Sequence, residues 1–167
     1  DRFFKVIGVK VSISNREVTS WHQPLIQPTD EGICAFIVKD IDGVLHFLAQ
    51  AKLEAGNFDI VELAPTVQCS TTYSENESQR NKVPFLNDVL NANPKNIVFD
   101  TLQSEEGGRF FKEQNRNIII KVDNTFPLKV PENYIWITLN QFKKFIIHNN
   151  FVNIQARSLI SAISYIN

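Results

Sequence analysis

Three polar side chains that follow one another on a single strand face are the first candidates for chemistry. Residues 44–53, VLHFLAQAKL, alternate in the manner of a β-strand, with Gln50, Lys52 and then Glu54 on one side. An amide, an ammonium and a carboxylate would then project in a row, about 6.6 Å apart. A carboxylate can move a proton, and an ammonium can stabilise negative charge. The row predicts either a solvated face or the floor of a polar cleft.

A second group of charged residues is the string SEEGGRFF, at residues 104–111. Ser104 is predicted to cap a helix that runs to about Asn115, with Glu105 in its first turn. Arg109 follows Glu105 at i,i+4 spacing, which predicts either a surface ion pair or a site packed closely against the two glycines. The string superficially resembles a Nudix box, but the full spacing of carboxylates along one helix is missing. A magnesium-dependent pyrophosphohydrolase is therefore disfavoured.

Other polar and aromatic residues stand in settings that suit ligand binding, and each also has a structural explanation. A tryptophan is most often a core residue, an asparagine before a helix is usually its cap, and an arginine can brace a sheet. These candidates are Trp21, His22, Thr66, Gln68, Arg116, Asn117, Trp136, Asn153 and Arg157.

Several kinds of site are disfavoured by the sequence. It contains no G-x-S-x-G elbow, no dinucleotide fingerprint and no P-loop. Cys34 and Cys69 make neither a disulfide framework nor a zinc site, and the three histidines lack the spacing of metal ligands. We therefore expect neither a metal nor a cofactor.

The elements that must position these residues begin with a β-hairpin. Residues 33–41 and 44–53 flank Asp42-Gly43, a pair typical of a type I′ turn, and one face of the second strand is predicted to be pure core. Further strands are expected at 58–63, 97–102 and 117–122, short helices at 85–90 and 104–115, and a mobile loop at 64–82. Apolar spacing predicts a helix from Leu139 to about Asn149 and another that Asn153 caps. This order predicts an α+β fold with a mixed or antiparallel sheet and a helical C-terminus.

The composition describes one ordinary globular domain over residues 1–167. Its 43% of hydrophobic residues can form a core without a disulfide or metal. A formal net charge of −1 argues against nucleic acid or an anionic membrane as a partner bound through bulk charge. No apolar run approaches the roughly 18 residues that span a bilayer, and no signal peptide is visible. We expect a soluble, cytoplasmic protein.

Seven strings of the sequence resemble a known family. WHQPL, GVLHFLAQAKLEAGN, ELAPTVQ, DTLQSEEGGRFF, QNRN, WITLNQF and NIQARSLI are similar, in that order, to the NDP-hexose 2,3-dehydratases of deoxysugar biosynthesis. The resemblance runs from about Trp21 to Ile163. Members resemble a tandem duplication of a Nudix-like module that lacks the Nudix metal box, and the EEGGRF string makes this chain similar to the C-terminal module. The resemblance implies a Nudix-like mixed β-sheet flanked by helices.

The family's substrates are nucleoside-diphosphate 4-keto-6-deoxyhexoses, with dTDP as the expected nucleotide. The C4 ketone acidifies the C3 proton, and the resulting enolate expels the C2 hydroxyl to give a 3,4-diketo-2,6-dideoxy sugar without a redox cofactor. The resemblance implies that Glu54 is a base or an acid and that Lys52 polarises the ketone or contacts a phosphate. Glu105 is the other carboxylate, partnered by Arg109 or Arg116. Which carboxylate is acid and which is base stays open.

The same resemblance implies how the nucleotide sugar is held. Trp21 or Trp136 would stack on the base, and arginines would meet the diphosphate. The further binding candidates are His22, Gln50, Thr66, Gln68, Ser104, Arg109, Arg116, Asn117, Asn153 and Arg157. A second hypothesis is a non-catalytic nucleotide-sugar binding or interaction module. Because an isolated module would expose the surface against which its repeat packs, we also expect a homodimer.

Overall fold

The computed structural model describes the backbone of residues 4–165 and the side chains of residues 4–163. The strands of this part of the chain are β1 Phe4–Ser12, β2 Ser20–Pro28, β3 Gly32–Ile41, β4 Val44–Leu53, β5 Val61–Ala64, β6 Val67–Ser70, β7 Ile97–Ser104, β8 Gln114–Val122 and β9 Tyr134–Thr138. Its α-helices are α1 Glu77–Arg80, α2 Leu86–Leu90, α3 Leu139–Ile147 and α4 Ile154–Ser161, and short 3-10 turns lie at Thr71–Ser74, Pro94–Asn96 and Ala162–Tyr165.

The main sheet is mixed, which is one of the two alternatives that the order of the elements predicted. Its strand order is β5-β4-β3-β8-β7, with β6 paired to β3 and β9 paired to β4. The β3–β8 pair is parallel, and the other pairs are antiparallel. Strands β1 and β2 form a separate two-stranded sheet that joins the rest through the loop between β7 and β8.

The predicted hairpin of β3 and β4 is confirmed. Asp42 and Gly43 both have positive φ angles, 51° and 78°, which a type I′ turn requires at its two central residues. The two strands pair over four residues from this turn, as far as Val38 opposite Phe47. Beyond that point β3 pairs with β6 and β4 pairs with β5, while β9 pairs with the other edge of β4 from His46 to Gln50. The hairpin therefore splits, and its open end leaves room for a cleft.

Thr66 lies at the point where the two strands separate. Its hydroxyl accepts a hydrogen bond from the backbone N–H of Ile37 at 2.9 Å and donates one to the carbonyl of Leu48. Both backbone groups belong to the separating strands, and Thr66 is fully buried. Because a buried backbone group left without a partner is costly, this hydroxyl stabilises the split. Thr66 thus has a structural role that its polar character did not reveal.

The core lies on both faces of the sheet. On one face Phe36, Phe47 and Phe142 pack edge to face, with centroids 5.5 to 6.1 Å apart, beneath α3 and α4. On the other face Leu48 and Leu86 are buried with α2. Each such side chain contributes about 1.5–3 kcal/mol when it is fully buried. Leu48 corrects the expectation of a one-sided β4, because helices cover the middle of that strand on both sides.

The string SEEGGRFF does not form the predicted helix. Strand β7 continues to Ser104, and residues 105–113 make the connection to β8, in which Gly108 has a φ of 89°. The backbone of Ile26 bonds to Arg109 and Phe111 in this connection, at 2.9 and 2.7 Å. Pairing with β2 therefore satisfies the backbone groups that a helix would have used, and tertiary contacts override the local capping pattern.

Two other expectations also need correction. The predicted mobile loop at 64–82 contains β6, which is held by β3, and the helix α1. The strand expected at 58–63 begins only at Val61, and Phe58 before it is 89% exposed. A strand needs a partner as well as a propensity, and β4 offers one only from Leu53 back to Gln50.

The C-terminal helices are confirmed. Thr138 and Gln141 form a reciprocal capping box at the start of α3, and Asn153 accepts the N–H of Ala156 at the start of α4. Ala156, Leu159 and Ile160 form the buried stripe of α4. Among residues 4–165, none of the helices has the length and apolar character that crossing a membrane would demand.

Candidate active site

A cavity of about 460 Å³ opens where the hairpin splits. The first residues of β3 and β8 and the last residues of β4 and β6 meet there, below the N-terminal turn of α4. Among the described residues that line it, Lys52 is the only cation, and the carboxylates outnumber it. The lining consists of Phe4, Ile26, Pro28, Asp30, Glu31, Gly32, Cys34, Lys52, Glu54, Gln68, Cys69, Ser70, Phe110, Glu113, Asn115 and Gln155.

One side of this cavity is a hydrogen-bonded group that we call the Lys52 cluster: Lys52, Glu54, Gln68 and Asn153. The Lys52 ammonium lies 3.3 Å from Glu54 Oε1 and donates to the Gln68 carbonyl at 3.2 Å. The Gln68 amide donates to the same Glu54 oxygen at 3.0 Å. The Asn153 amide in turn donates to Gln68 Oε1 at 2.7 Å. The N-cap of α4 therefore orients the carboxylate through one intervening amide.

The opposite side is formed by the connection into β8, and we call Glu105, Glu113 and Asn115 the Glu105 cluster. The side-chain amide of Asn115 donates to Glu105 Oε1, and its Oδ1 accepts the backbone N–H of Gly32 at 2.7 Å. Asn115 is buried, so strand β3 fixes the position of the Glu105 carboxylate. A Cβ on Gly32 would lie 2.1 Å from Asn115 Oδ1, which explains why glycine stands there.

Glu113 was missed by the sequence analysis. It lines the cavity, and its Oε2 is shielded from solvent without a hydrogen-bond partner among the described residues. Burial, and then the charge of Glu105, raise the pKa of this carboxyl. Glu113 lies inside the helix that was predicted for residues 104–115, and nothing in that pattern indicated its burial. Only the folded connection shows that it faces another carboxylate.

The thiol of Cys34 lies between the two clusters. Burial raises its pKa to about 12, the charges of Glu105 and Glu54 act in the same direction, and Lys52 acts against them. The charges of all three residues that the sequence analysis proposed as catalytic therefore act on the pKa of this one thiol. Lys52 and Glu54 line the cavity together with this thiol, whereas Glu105 is bonded to the lining residue Asn115 and is not itself part of the lining.

A second cavity of about 500 Å³ adjoins the first, because Gln155 lines both. Ser104 and Asn117, two of the predicted binding residues, belong to this second cavity together with Glu105. The Asn117 amide donates to the Asn115 carbonyl at 3.0 Å. Hydroxyl and amide groups dominate the lining, which suits the hydroxyls of a sugar or ribose. Gln155 was missed because nothing but its position on the first turn of α4 distinguishes it.

The predicted arginines do not join these clusters. Arg116 makes two hydrogen bonds to Asp100 on the neighbouring strand, at 2.8 and 2.6 Å. It alternates along β8 with Asn115 and Asn117, so its side chain leaves the opposite face of the sheet. Arg109 is exposed, 3.7 Å from Glu106. Glu105 is therefore partnered by an amide and not by either arginine.

Arg157 also lies outside the cavity. It is exposed on α4, and its Nε reaches the Asn153 carbonyl at 3.4 Å. Its charge acts on Glu62 of β5, where it opposes the effect of burial, which raises the pKa of that carboxyl. Gln50 lies between Ala64 and Tyr134 on the neighbouring strands, two residues before Lys52.

The predicted stacking residues lie away from the cavity as well. Trp21 and His22 are on β2, in the separate sheet, and the Trp21 indole donates to Gln23. Trp136 on β9 packs edge to face on Phe126 and donates to the Leu128 carbonyl at 3.2 Å. The aromatic rings that do line the cavity are those of Phe4 and Phe110. The pattern of the sequence did not single out either phenylalanine among thirteen.

The family model described as NDP-hexose 2,3-dehydratase matches residues 1–163. The chain belongs to this family, as its seven strings predicted.

Two curated relatives are similar over almost all of the chain. Both are named dTDP-4-dehydro-6-deoxy-alpha-D-glucopyranose 2,3-dehydratase. The protein from Saccharopolyspora spinosa is 45% identical over 97% of this chain, and that from Streptomyces violaceoruber is 44% identical over 97%. These matches cover 33% and 36% of the relatives. The chain thus spans about a third of the length of the curated relatives it matches.

Two solved structures match most of the chain with little sequence identity. An ADP compounds hydrolase matches 98% of this chain and 86% of its own, with 13% identity and a TM-score of 0.53. The NUDIX domain of Shewanella oneidensis NrtR, complexed with ADP ribose, matches 80% of this chain and 84% of its own, with 10% identity and a TM-score of 0.46. The α+β Nudix-like mixed sheet that was expected is confirmed.

Proposed function

We propose that this protein is a sugar-nucleotide 2,3-dehydratase, a hydro-lyase that acts on an NDP-4-keto-6-deoxyhexose. The relatives named as dTDP-4-dehydro-6-deoxy-glucopyranose 2,3-dehydratases support dTDP as the nucleotide. The observation that carries the proposal is the Lys52 cluster. A carboxylate and an ammonium, fixed by amides, line a cavity large enough for a hexose. Binding alone would gain nothing from carboxylates that face an anionic ligand.

The reaction begins with the transfer of the C3 proton to a carboxylate base. The C3–H electron pair moves into the C3–C4 bond, and the C4 oxygen takes the negative charge as an enolate. The enolate then expels the C2 hydroxyl, which must gain a proton to leave as water. The resulting enol tautomerises to the 3,4-diketo-2,6-dideoxy sugar. No electrons are exchanged with a second reactant.

Glu54 is the base in this proposal, and Lys52 stabilises the enolate. Two donors hold Glu54 Oε1, and no hydrogen bond from the described residues ends on Oε2. That second oxygen is the one left to take the proton. The Lys52 ammonium lies 3.3 Å from the other oxygen, Oε1, and its positive charge can stabilise the charge that develops at C4. Gln68 and Asn153 act as positioning residues.

The charges of the cavity also support an orientation for the substrate. Carboxylates would repel a diphosphate, and Lys52 is the only cation among the described lining residues. The neutral hexose would therefore occupy the cavity, with its diphosphate at the mouth. Phe4, Ile26 and Phe110 form an apolar side that suits the C6 methyl group.

The test is incubation with dTDP-4-keto-6-deoxyglucose in deuterated water. We expect loss of one water from the sugar by mass spectrometry and deuterium at C3 in recovered substrate. Deuterium exchange at C3 without loss of water would show that a base removes the C3 proton and that the departing C2 hydroxyl receives no proton. Tight binding with neither event would contradict the dehydratase and support the second hypothesis, a nucleotide-sugar binding module.

The proposal includes a homodimer in the cytoplasm, where nucleotide sugars are made. The apolar side chains around the β4–β5 edge are exposed, with Leu53 at 67%, Ile60 at 76% and Phe58 at 89%. A patch of this kind is typical of an interface. Light scattering should give the mass of two chains, and replacement of Phe58 and Ile60 by serine should give one. A stable monomer of the unchanged protein would contradict the dimer.

A further inference from the structure

We infer that Glu113 is the proton donor for the departing C2 hydroxyl. This inference rests on the proposed dehydratase reaction and supplies the acid that the Lys52 cluster lacks. A general acid must reach the leaving oxygen and must carry a proton before the step.

The position of Glu113 meets the first requirement. It lies directly before β8 and lines the same cavity as Glu54 and Lys52. The backbone N–H of Glu105 donates to the Glu113 carbonyl at 3.0 Å, which ties the two sides of the connection together. Its Oε2 is shielded from solvent and has no partner among the described residues. A shielded oxygen without a partner disfavours the ionised carboxylate, and the place of Glu113 in the lining brings its carboxyl group to the space that a substrate hydroxyl would occupy.

The charges around Glu113 meet the second requirement. Burial raises the pKa of Glu113, and the charge of Glu105 raises it further. One cation faces several acidic groups in this cavity, so a proton on Glu113 relieves repulsion. The titratable groups there are Asp30 and Glu31 before β3, Cys34 on β3, Lys52 and Glu54 on β4, Cys69 on β6, and Glu105 on the facing side of the connection.

Glu105 is the less suitable donor of the two carboxyls. It already accepts a hydrogen bond from the amide of the buried Asn115, so one of its oxygens is occupied and its carboxyl is held in place by strand β8. Glu113 differs in this respect, because one of its oxygens has no partner among the described residues, and burial and the charge of Glu105 raise its pKa. Glu105 is a positioning residue in this scheme.

The proton balance of the step is complete. The O–H bond of Glu113 breaks as the C2–O bond breaks, and the C2 oxygen leaves as water. Glu54 has gained the C3 proton, and Glu113 has lost one. Exchange with solvent returns both groups to their starting forms before the next turnover.

The experiment compares Glu113→Gln with the unchanged protein on two substrates. The first is dTDP-4-keto-6-deoxyglucose, and the second is its 2-deoxy-2-fluoro analogue, which expels fluoride without needing a proton. We expect the variant to lose about 10²–10⁴-fold of its rate with the hydroxyl substrate. Its rate with the fluoro substrate and its deuterium exchange at C3 should stay close to those of the unchanged protein.

The matched control is Glu106→Gln, in the same connection, because Glu106 is exposed and paired with Arg109. It should leave all three rates unchanged. An equal loss on both substrates would overturn the inference, as would full activity of Glu113→Gln. If the unchanged protein neither exchanges nor eliminates, the proposed function itself fails. The unchanged protein should also lose activity as the pH rises through the pKa of Glu113, and the variant should lack that limb.

A stability measurement separates a donor from a structural residue. The raised pKa means that folding favours protonated Glu113, so its contribution is present below the unfolded pKa and is lost as the pH rises. Glu113→Gln should therefore unfold at the same temperature as the unchanged protein at pH 4 and at an equal or higher one at pH 8. A variant destabilised at pH 8 alone would contradict a protonated, unpaired carboxyl.

Discussion

The carboxyl groups on the two sides of the cavity have opposite surroundings. In the Lys52 cluster, Glu54 receives an ammonium and an amide on one oxygen. In the Glu105 cluster, Glu113 has a shielded oxygen without a described partner and faces another carboxylate. The first surroundings supply two donors to one carboxyl oxygen, whereas in the second, burial and the charge of Glu105 raise the pKa of Glu113. In the proposed reaction, the first carboxyl group accepts a proton and the second donates one.

The largest effect should follow from a change in the Lys52 cluster, whose carboxylate accepts the C3 proton in the proposed reaction. We expect Glu54→Gln to lower the elimination rate by about 10²–10⁴-fold and to abolish deuterium exchange at C3, because the amide cannot take the proton. Glu62→Gln is the matched control, because Glu62 lies opposite Lys52 on the neighbouring strand β5 but is not part of the cavity lining. Retained C3 exchange in Glu54→Gln would remove Glu54 from the role of base. Mass spectrometry and proton NMR of the sugar measure both events.

The next largest effect should follow from displacing Asn115, the residue that holds the Glu105 carboxylate in the Glu105 cluster. A methyl group at Gly32 would meet Asn115 Oδ1 at 2.1 Å, so Gly32→Ala must shift Asn115 and with it Glu105. We expect about 10²-fold loss of kcat from this misplacement. Gly8→Ala is the control, because a methyl group there has no neighbour within 4 Å. Equal rates in the two variants would show that the position of Asn115 is not critical.

A smaller effect should separate the two roles of Asn153, which caps α4 and orients Gln68. Asn153→Ala removes the helix cap, which costs about 1 kcal/mol, and also the bond to Gln68. Asn153→Asp keeps an acceptor for the Ala156 N–H but cannot donate to Gln68. We expect Asn153→Asp to keep its thermal stability and lose activity, and Asn153→Ala to lose both. Calorimetry and the elimination assay, run together, test this split; activity retained in Asn153→Asp would contradict the positioning role.

The smallest effect concerns the outer face of β8. The hydrogen bonds from Arg116 hold the pKa of Asp100 below its usual range, so their contribution is present above the unfolded pKa and is lost as the pH falls through the folded pKa. The pair is partly exposed, so Asp100→Asn should cost less than about 1 kcal/mol at pH 7. Urea unfolding at pH 7 and pH 3 checks this difference. Activity should be unchanged, and a large loss of activity would place Arg116 within reach of the substrate.

The sequence anticipated the parts of the site that depend on local patterns. The alternation of β4 placed Lys52 and Glu54 on one side, and Asn153 was recognised as a cap. The same alternation would have separated Arg116 from Asn115 and Asn117, had the start of β8 been placed at Gln114 and not at Asn117. Glu113 and Gln155 could not be found in this way, because their importance comes from burial between distant segments.

The sequence by itself determined the family and several local elements. These elements are the Asp42-Gly43 turn, the strands beside it and the two C-terminal helices. Turn geometry, side-chain periodicity and capping act over a few residues, so the order of residues specifies them directly. The tertiary structure alone decided that the hairpin splits at Thr66 and that SEEGGRFF pairs with β2 instead of forming a helix. It also decided that burial and the charge of Glu105 act together on the carboxyl of Glu113 and raise its pKa. Desolvation and the field of neighbouring charges depend on residues far apart in the chain, and only folding brings them within range.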